Sequence, residues 1–226
     1  MTTRIKICGV NDPAIARAAA DAGADAIGLV FVDGSPRVVS IDQARAVISA
    51  LPAFVEPVAL FVDAPVDQIR SVCATLGLRT VQLHGRETPP QAVSLHPLSV
   101  IKALAYNDLD AAAASLKPWR GVANLAGLLF DAPPESRALP GGSGRPWDWQ
   151  SLAALRRSGA LKDLAPIVLA GGLNRNNVGD AIRTVRPNAV DVSSGVETSP
   201  GIKDASVVKA FCTAVHAADA DVSKGD

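Results

Sequence analysis

Cysteine is scarce in this sequence: Cys8, Cys73 and Cys212 are the three in a chain of 226 residues. They are odd in number and far apart, which argues against a disulfide framework or a zinc cluster and makes reduced thiols the expectation. Net charge is also lacking, because 22 Lys and Arg balance 22 Asp and Glu. No broad field draws the chain to nucleic acid or to an anionic membrane, so an anionic ligand needs a local site. Aromatic residues make up only 4% and supply no stripe for an interface. No apolar run reaches the roughly 18 residues that a membrane span needs. The start, MTTRIKICG, has neither the charged head nor the apolar core of a secretory signal. A cytoplasmic protein that engages neither membrane nor nucleic acid is the expectation.

Apolar residues are plentiful, at 48%, and they come in short runs. Strand-like segments at 5–8, 26–31, 55–62, 80–83, 99–104, 127–130, 167–169 and 189–192 alternate with helical stretches. Those stretches are expected at 12–22, 41–51, 65–76, 90–95, 108–116, 147–158, 174–185 and 203–218. Their boundaries carry punctuation: Asn11 or Asp12 caps the first helix with Pro13 in its first turn, Ser40 opens the second, and Gly23 and Gly77 close helices. A loop rich in Gly and Pro follows the sixth strand. Eight βα units imply an α/β fold, a closed (β/α)8 TIM barrel, in a single domain over residues 1–218. A polar tail, 219–226, is expected to fray. The competing open doubly wound sheet wants a Gly-rich dinucleotide turn after its first strand, and Cys8-Gly9-Val10-Asn11 is not one.

Barrels of this kind carry their active site at the C-terminal ends of the strands. The polar residues there are Cys8, the stretch 33–37, Asp63, His84, Asp131, Gly171-Gly172 and Ser193-Ser194-Gly195. The glycine-bearing loops after strands seven and eight suit phosphate, since backbone N–H groups approach an anion where no Cβ intervenes; the plainer alternative is that they serve tight turns. Cys8 is either an inert buried thiol or a base or nucleophile activated by its surroundings. Asp131 shares the face of Leu129 and either serves as a general acid at the barrel mouth or caps the loop that follows. Arg37 is either a fork for a carboxylate or a solvated loop residue. His84 either touches ligand or bonds a neighbouring loop. Lys6 shares the face of Cys8 and, if it points inward, needs a partner. Strands one and six are separated by seven and eight on the shorter way round, so Cys8 and Asp131 would flank a ligand whose phosphate sits between them.

These residues together resemble a known family, the phosphoribosylanthranilate isomerases of tryptophan biosynthesis. The resemblance rests on KICG (6–9), GLVF with SPR (28–37), VQLHG.E (81–87), LLFDA (128–132), GGSG..WDW (141–149), LAGGLN (169–174) and VDVSSGVE..PG.KD (190–204). It implies an Amadori rearrangement of N-(5-phosphoribosyl)anthranilate to 1-(2-carboxyphenylamino)-1-deoxyribulose 5-phosphate. Asp131 would protonate the ribose ring oxygen, and Cys8 would remove the C2 proton. Substrate would be held by Arg37 at the anthranilate carboxylate and by His84, Gly171, Gly172, Ser193, Ser194 and Gly195. No metal and no cofactor is implied, and the chain is expected to be a monomer or homodimer. Related phosphosugar barrels would need other signatures: catalytic lysines and a glutamate, a metal site, or an aspartate where Cys8 stands.

Overall fold

Apolar runs of three to seven residues lie too close together for a second layer of sheet, and they pair side by side. A computed structural model of the chain describes residues 2–105, 114–132 and 147–225. Eight parallel strands form a closed barrel in sequence order: β1 (Arg4–Cys8), β2 (Ala26–Val30), β3 (Glu56–Phe61), β4 (Thr80–Leu83), β5 (Ser99–Ala105), β6 (Leu125–Asp131), β7 (Ile167–Leu169) and β8 (Ala189–Val192). Closure is the β1–β8 pairing, with Lys6 opposite Asp191 and Ile7 opposite Val192. Outside the barrel lie α1 (Pro13–Asp21), α2 (Ile41–Ser49), α3 (Val66–Leu76), α4 (Pro89–Ser94), α5 (Trp149–Arg157), α6 (Val178–Val185) and α7 (Ala205–Gly225). Of the helix expected at 108–116, only 114–116 fall among the described residues, and they are helical.

Local chemistry explains the starts and stops. Asp12 accepts from the Ala14 N–H at 2.7 Å, with Pro13 in the first turn of α1. Ser40 and Gln43 form a capping box at α2. Gly77 closes α3 at φ 68°, a conformation that favours glycine. Three helices begin two or more residues later than their sequence patterns suggest; one is α5, which starts at Trp149 rather than 147 because Asp148 caps it. In α6, Asn177 takes up the Asn174 N–H and the Gly172 carbonyl, so 174–177 are a turn and the helix begins at Val178. Lys203 belongs not to the last helix but to a hairpin, β9 (Glu197–Ser199) with β10 (Ile202–Lys203). At the other end, α7 runs on to Gly225 rather than stopping at Ala218. Asp219 explains why, since its carboxylate accepts from Thr3 N–H at 2.7 Å and Thr3 Oγ1 at 2.6 Å.

Most of the core lies between barrel and helices, as a continuous cluster that includes Ile7, Leu29, Phe61, Leu83, Phe130, Leu169 and Phe211. Ala103, Leu129, Val168 and Ala170 form a small separate cluster, and Cys8, Val30 and Leu60 form another. Polar residues on the Cys8 and Leu129 faces lie beside these two. Lys6 and Asp191 form a buried ion pair at 2.8 Å, the partner that an inward Lys6 requires. Removing one member of such a pair typically costs about 3–5 kcal/mol, because the other charge stays buried.

Candidate active site

β1 ends on Cys8, buried at 6% exposure. The opposite residue in β2 is Gly28, and a Cβ there would stand 2.8 Å from Cys8 Sγ and 3.1 Å from Lys6 Nζ. Thiol and ammonium therefore converge over a glycine that leaves them room. Burial pushes the thiol above its ordinary range; the Lys6 charge and hydrogen bond and the Lys203 charge oppose this, while Asp191 adds to it. For Lys6, burial alone would lower the value, but Asp191 and Cys8 outweigh it and hold the ammonium above its usual range. Ser193 Oγ donates to the Cys8 carbonyl at 3.1 Å, tying the loop after β8 to the end of β1.

Arg37 lies directly above this strand end. Its Cδ is only 2.5 Å from where a Cβ on Gly9 would sit, and Gly9 has φ 75°. The guanidinium grips Glu197 with two parallel bonds, Nε to Oε1 at 2.7 Å and Nη2 to Oε2 at 2.8 Å. Lys203 reaches the same Oε1 at 2.9 Å and the Ser193 carbonyl at 3.2 Å. Burial would raise the Glu197 carboxyl, yet the bond from Arg37 and the charge and bond of Lys203 together hold it below its ordinary range. Two of the five guanidinium donors are thus used for anchoring.

Across the barrel, β6 ends on Asp131 and β4 leads into His84. His84 Nε2 is 3.2 Å from Asp131 Oδ2, and Nδ1 is 2.8 Å from the Gln82 amide nitrogen. The Ala132 N–H donates to Asp131 Oδ1 at 2.7 Å. Asp131 is therefore held at Oδ1 by a backbone donor, and His84 comes within ion-pair distance of Oδ2 rather than meeting only a neighbouring loop. The loop carrying His84 is itself pinned: Lys102 donates to Glu87 at 2.7 Å and to the Gly85 carbonyl at 2.6 Å, and Glu87 accepts from the Asp63 and Gly85 N–H groups. Burial lowers the Lys102 ammonium's value, with Glu87 opposing.

Between β6 and β1 lie the loops after β7 and β8. Gly171 and Gly172 have φ 82° and 66°. Gly195, in the short turn Ser194–Val196, leaves no space at all, since a Cβ would come 1.9 Å from the Leu173 carbonyl oxygen. The two loops are in backbone contact there. Gly195→Ala is expected to push them apart, destabilising the fold by roughly 1–3 kcal/mol as overpacking does. Thermal melting checks the stability loss, and binding of inorganic phosphate, followed by calorimetry, is expected to weaken with it.

Comparison with known proteins points to one family. Its sequence model, for N-(5'-phosphoribosyl)anthranilate (PRA) isomerase, matches residues 5–214. The chain belongs to this family. A relative of that name from Pseudomonas syringae pv. tomato is 45% identical over 214 residues, covering 94% of this chain and 97% of its own. The phosphoribosyl anthranilate isomerase structure from Thermotoga maritima has 34% identity and a TM-score of 0.84, covering 96% of this chain and all of that one. A structure of phosphoribosyl anthranilate isomerase in complex with reduced 1-(o-carboxyphenylamino)-1-deoxyribulose 5-phosphate has 34% identity and a TM-score of 0.82, with the same coverage.

As a member of the phosphoribosylanthranilate isomerase family, the chain places its candidate residues in two groups. Cys8, Arg37 and Ser193 converge at the β1 end; His84 and Asp131 converge at the β4–β6 side. Gly171, Gly172, Ser194 and Gly195 lie in the loops between. Residues that sequence reasoning passed over are the ones that hold these in place: Glu197 and Lys203 behind Arg37, Asp191 beside Lys6, Gln82 behind His84, and the Glu87–Lys102 pair. The family motifs VQLHG.E and SSGVE..PG.KD contain most of these partners, but spacing alone does not say which side chain each one meets.

Proposed function

We propose that the chain converts N-(5-phosphoribosyl)anthranilate to 1-(2-carboxyphenylamino)-1-deoxyribulose 5-phosphate, with Asp131 as general acid and Cys8 as general base. The observation that carries this is the placement of one acid and one thiol at the ends of β6 and β1, on either side of the paired loops after β7 and β8. The Asp131 carboxyl gives its proton to the ribose ring oxygen as the C1–O bond breaks, and the anthranilate nitrogen lone pair forms the C1=N bond. The Cys8 thiolate then removes the C2 hydrogen, and the electron pair moves into C1=C2 to neutralise the iminium. The enolamine gains a proton at C1 and loses one from the C2 hydroxyl, giving the ketone. C2 is oxidised and C1 reduced, so electrons balance within the substrate and each proton transfer has a candidate at a strand end. Phosphate rests on Gly171, Gly172, Ser193, Ser194 and Gly195, and the anthranilate carboxylate on Arg37. The test is an assay with freshly prepared phosphoribosylanthranilate, whose own fluorescence falls on conversion; an unchanged signal with folded enzyme overturns the assignment.

Arg37→Ala is expected to weaken binding of a carboxylate-bearing product analogue by roughly 10–100-fold, the range for a hydrogen bond to a charged group. Calorimetry reads it directly, and unchanged affinity removes Arg37 from the carboxylate role. Arg37→Lys is not expected to restore it, because an ammonium cannot hold Glu197 with two parallel bonds and offer a second fork.

The partner reading is a phosphorylated small molecule and a second copy of the chain, in a cytoplasmic enzyme. Among the described residues no helix is long and apolar enough to cross a membrane. A family member from Thermotoga maritima, 32% identical with a TM-score of 0.81 and covering 96% of this chain and all of that one, is described as dimeric. Phe54, 98% exposed in the turn before β3, stands at the barrel face opposite the strand C-termini. Beside it a cavity of about 590 Å³ opens between the strand starts, lined by Ile5, Glu56, Val58, Ile101 and Val168 among others. Self-association through this face is expected to give a dimer by light scattering, and Phe54→Asp a monomer that keeps its turnover. A monomeric wild type excludes it.

A further inference from the structure

Gln82 is fully buried on β4, yet its amide oxygen has no hydrogen-bond partner among the described residues. A buried polar atom left unmatched works against stability, so the useful end of this side chain is the other one. The amide nitrogen sits 2.8 Å from His84 Nδ1. An amide nitrogen can only donate, so Nδ1 must accept, and a neutral imidazole then carries its proton on Nε2. That Nε2 faces Asp131 Oδ2 at 3.2 Å, while the Ala132 N–H already serves Oδ1 at 2.7 Å.

We propose that Gln82 and His84 are positioning residues for the acid: Gln82 fixes His84 as the Nε2–H tautomer, so that the imidazole donates to the carboxylate that Asp131 becomes on releasing its proton. The inference rests on Asp131 as the acid. During ring opening the carboxyl changes from neutral to anionic in a site where Asp131 is 7% exposed and water supplies little stabilisation. The Ala132 N–H on Oδ1, joined by an Nε2–H that lies 3.2 Å from Oδ2 and closes on it as charge develops, stabilises that anion with little rearrangement at the moment of transfer. The opposite tautomer would turn the Nε2 lone pair towards Oδ2. The carboxylate would then face a lone pair in place of a donor. His84 thus acts through Asp131, and Gln82 acts through His84, neither needing to touch the reacting atoms.

The tautomer is read by ¹⁵N NMR on enzyme labelled at its three histidines, with the His84 signals identified by their loss in His84→Gln. In wild-type enzyme at neutral pH, a protonated Nε2 with a bare Nδ1 is expected. A protonated Nδ1 or an imidazolium overturns the proposal whatever the variants do. Gln82→Met, similar in size but without a donor, is expected to give a mixture of tautomers and roughly ten-fold lower kcat, the equivalent of one hydrogen bond. KM and melting temperature should stay near wild type. Unchanged kcat with the tautomer redistributed overturns it as well. His84→Gln keeps an N–H near the Nε2 position and is expected to retain more turnover than His84→Ala; equal loss in both counts against a donor role. Asp131→Asn separates the two layers: if it too keeps full turnover the acid assignment falls, whereas if only Gln82→Met does, the tautomer proposal falls alone.

Discussion

Asp131→Asn is expected to lower kcat roughly 10²–10⁴-fold, the usual contribution of a placed proton donor, while the barrel stays folded. Asparagine preserves shape, so packing is not the cause of the loss. Its amide can occupy the same space and still accept from the Ala132 N–H, with its nitrogen turned to His84, but it has no acidic proton to give to the ring oxygen. The C1–O bond would then have to break with an alkoxide leaving. Binding of a product analogue is expected to survive, because the proposed phosphate and carboxylate contacts lie on other residues. Steady-state fluorescence gives kcat, calorimetry gives affinity, and circular dichroism confirms the fold. Turnover near wild type would remove Asp131 from the acid role.

Cys8→Ala is expected to lose a comparable factor for a different reason and at a different step. Ring opening can still proceed through Asp131, but nothing removes the C2 hydrogen. Substrate deuterated at C2 therefore distinguishes the two variants. In wild type, abstraction by Cys8 predicts a primary isotope effect where that step limits. In Cys8→Ala any residual reaction proceeds without the thiolate, so Cys8→Ser is not expected to rescue it, since a hydroxyl is far less acidic than a thiol. Trapping of a covalent substrate adduct on Cys8 would count against a proton-transfer role.

The electrostatics of Cys8 give a measurable response to pH. Burial raises the thiol, with the Lys6 charge as the largest opposing influence. Alkylation of the thiol is therefore expected to be slow at neutral pH and to rise about ten-fold per pH unit until the group titrates, as the thiolate fraction grows. A thiol raised by the fold also makes folding prefer the protonated form. Its contribution to stability is complete below about pH 8.5, the ordinary cysteine value, and is lost as pH climbs through the raised value. Lys6→Met removes the opposing charge, and it also strands Asp191, so its alkylation profile should shift upward and its melting temperature should fall together.

Some of this was readable from residues alone. β4, β7 and β8 have the limits their apolar runs suggest, since each is a short continuous run bounded by polar or turn residues. Cys8 and Asp131 were legible because each is the polar residue that ends such a run. The hairpin β9–β10 was not, because its two strands pair only with each other and their side chains show no apolar alternation. Glu197 was hidden for another reason: it meets Arg37 across 160 positions of sequence, and no local pattern signals that pairing. The same holds for Gln82, whose role depends on which ring nitrogen it faces. Tails are commonly frayed, and the polarity of 219–226 pointed that way, but the Asp219 bonds to Thr3 hold the helix on past Ala218.

Those long-range bonds have a consequence for how the molecule is assembled. Lys6 meets Asp191, and the Cys8 carbonyl meets Ser193, each across 185 positions. The strand that bears the thiol is thus made 185 positions ahead of the residues that complete its chemical surroundings. An incomplete barrel would carry Cys8 without the Lys6–Asp191 ion pair, without the Ser193 bond and without the Arg37–Glu197 clamp. The surroundings that tune the thiol are assembled only at ring closure, so its reactivity is a report on finished folding.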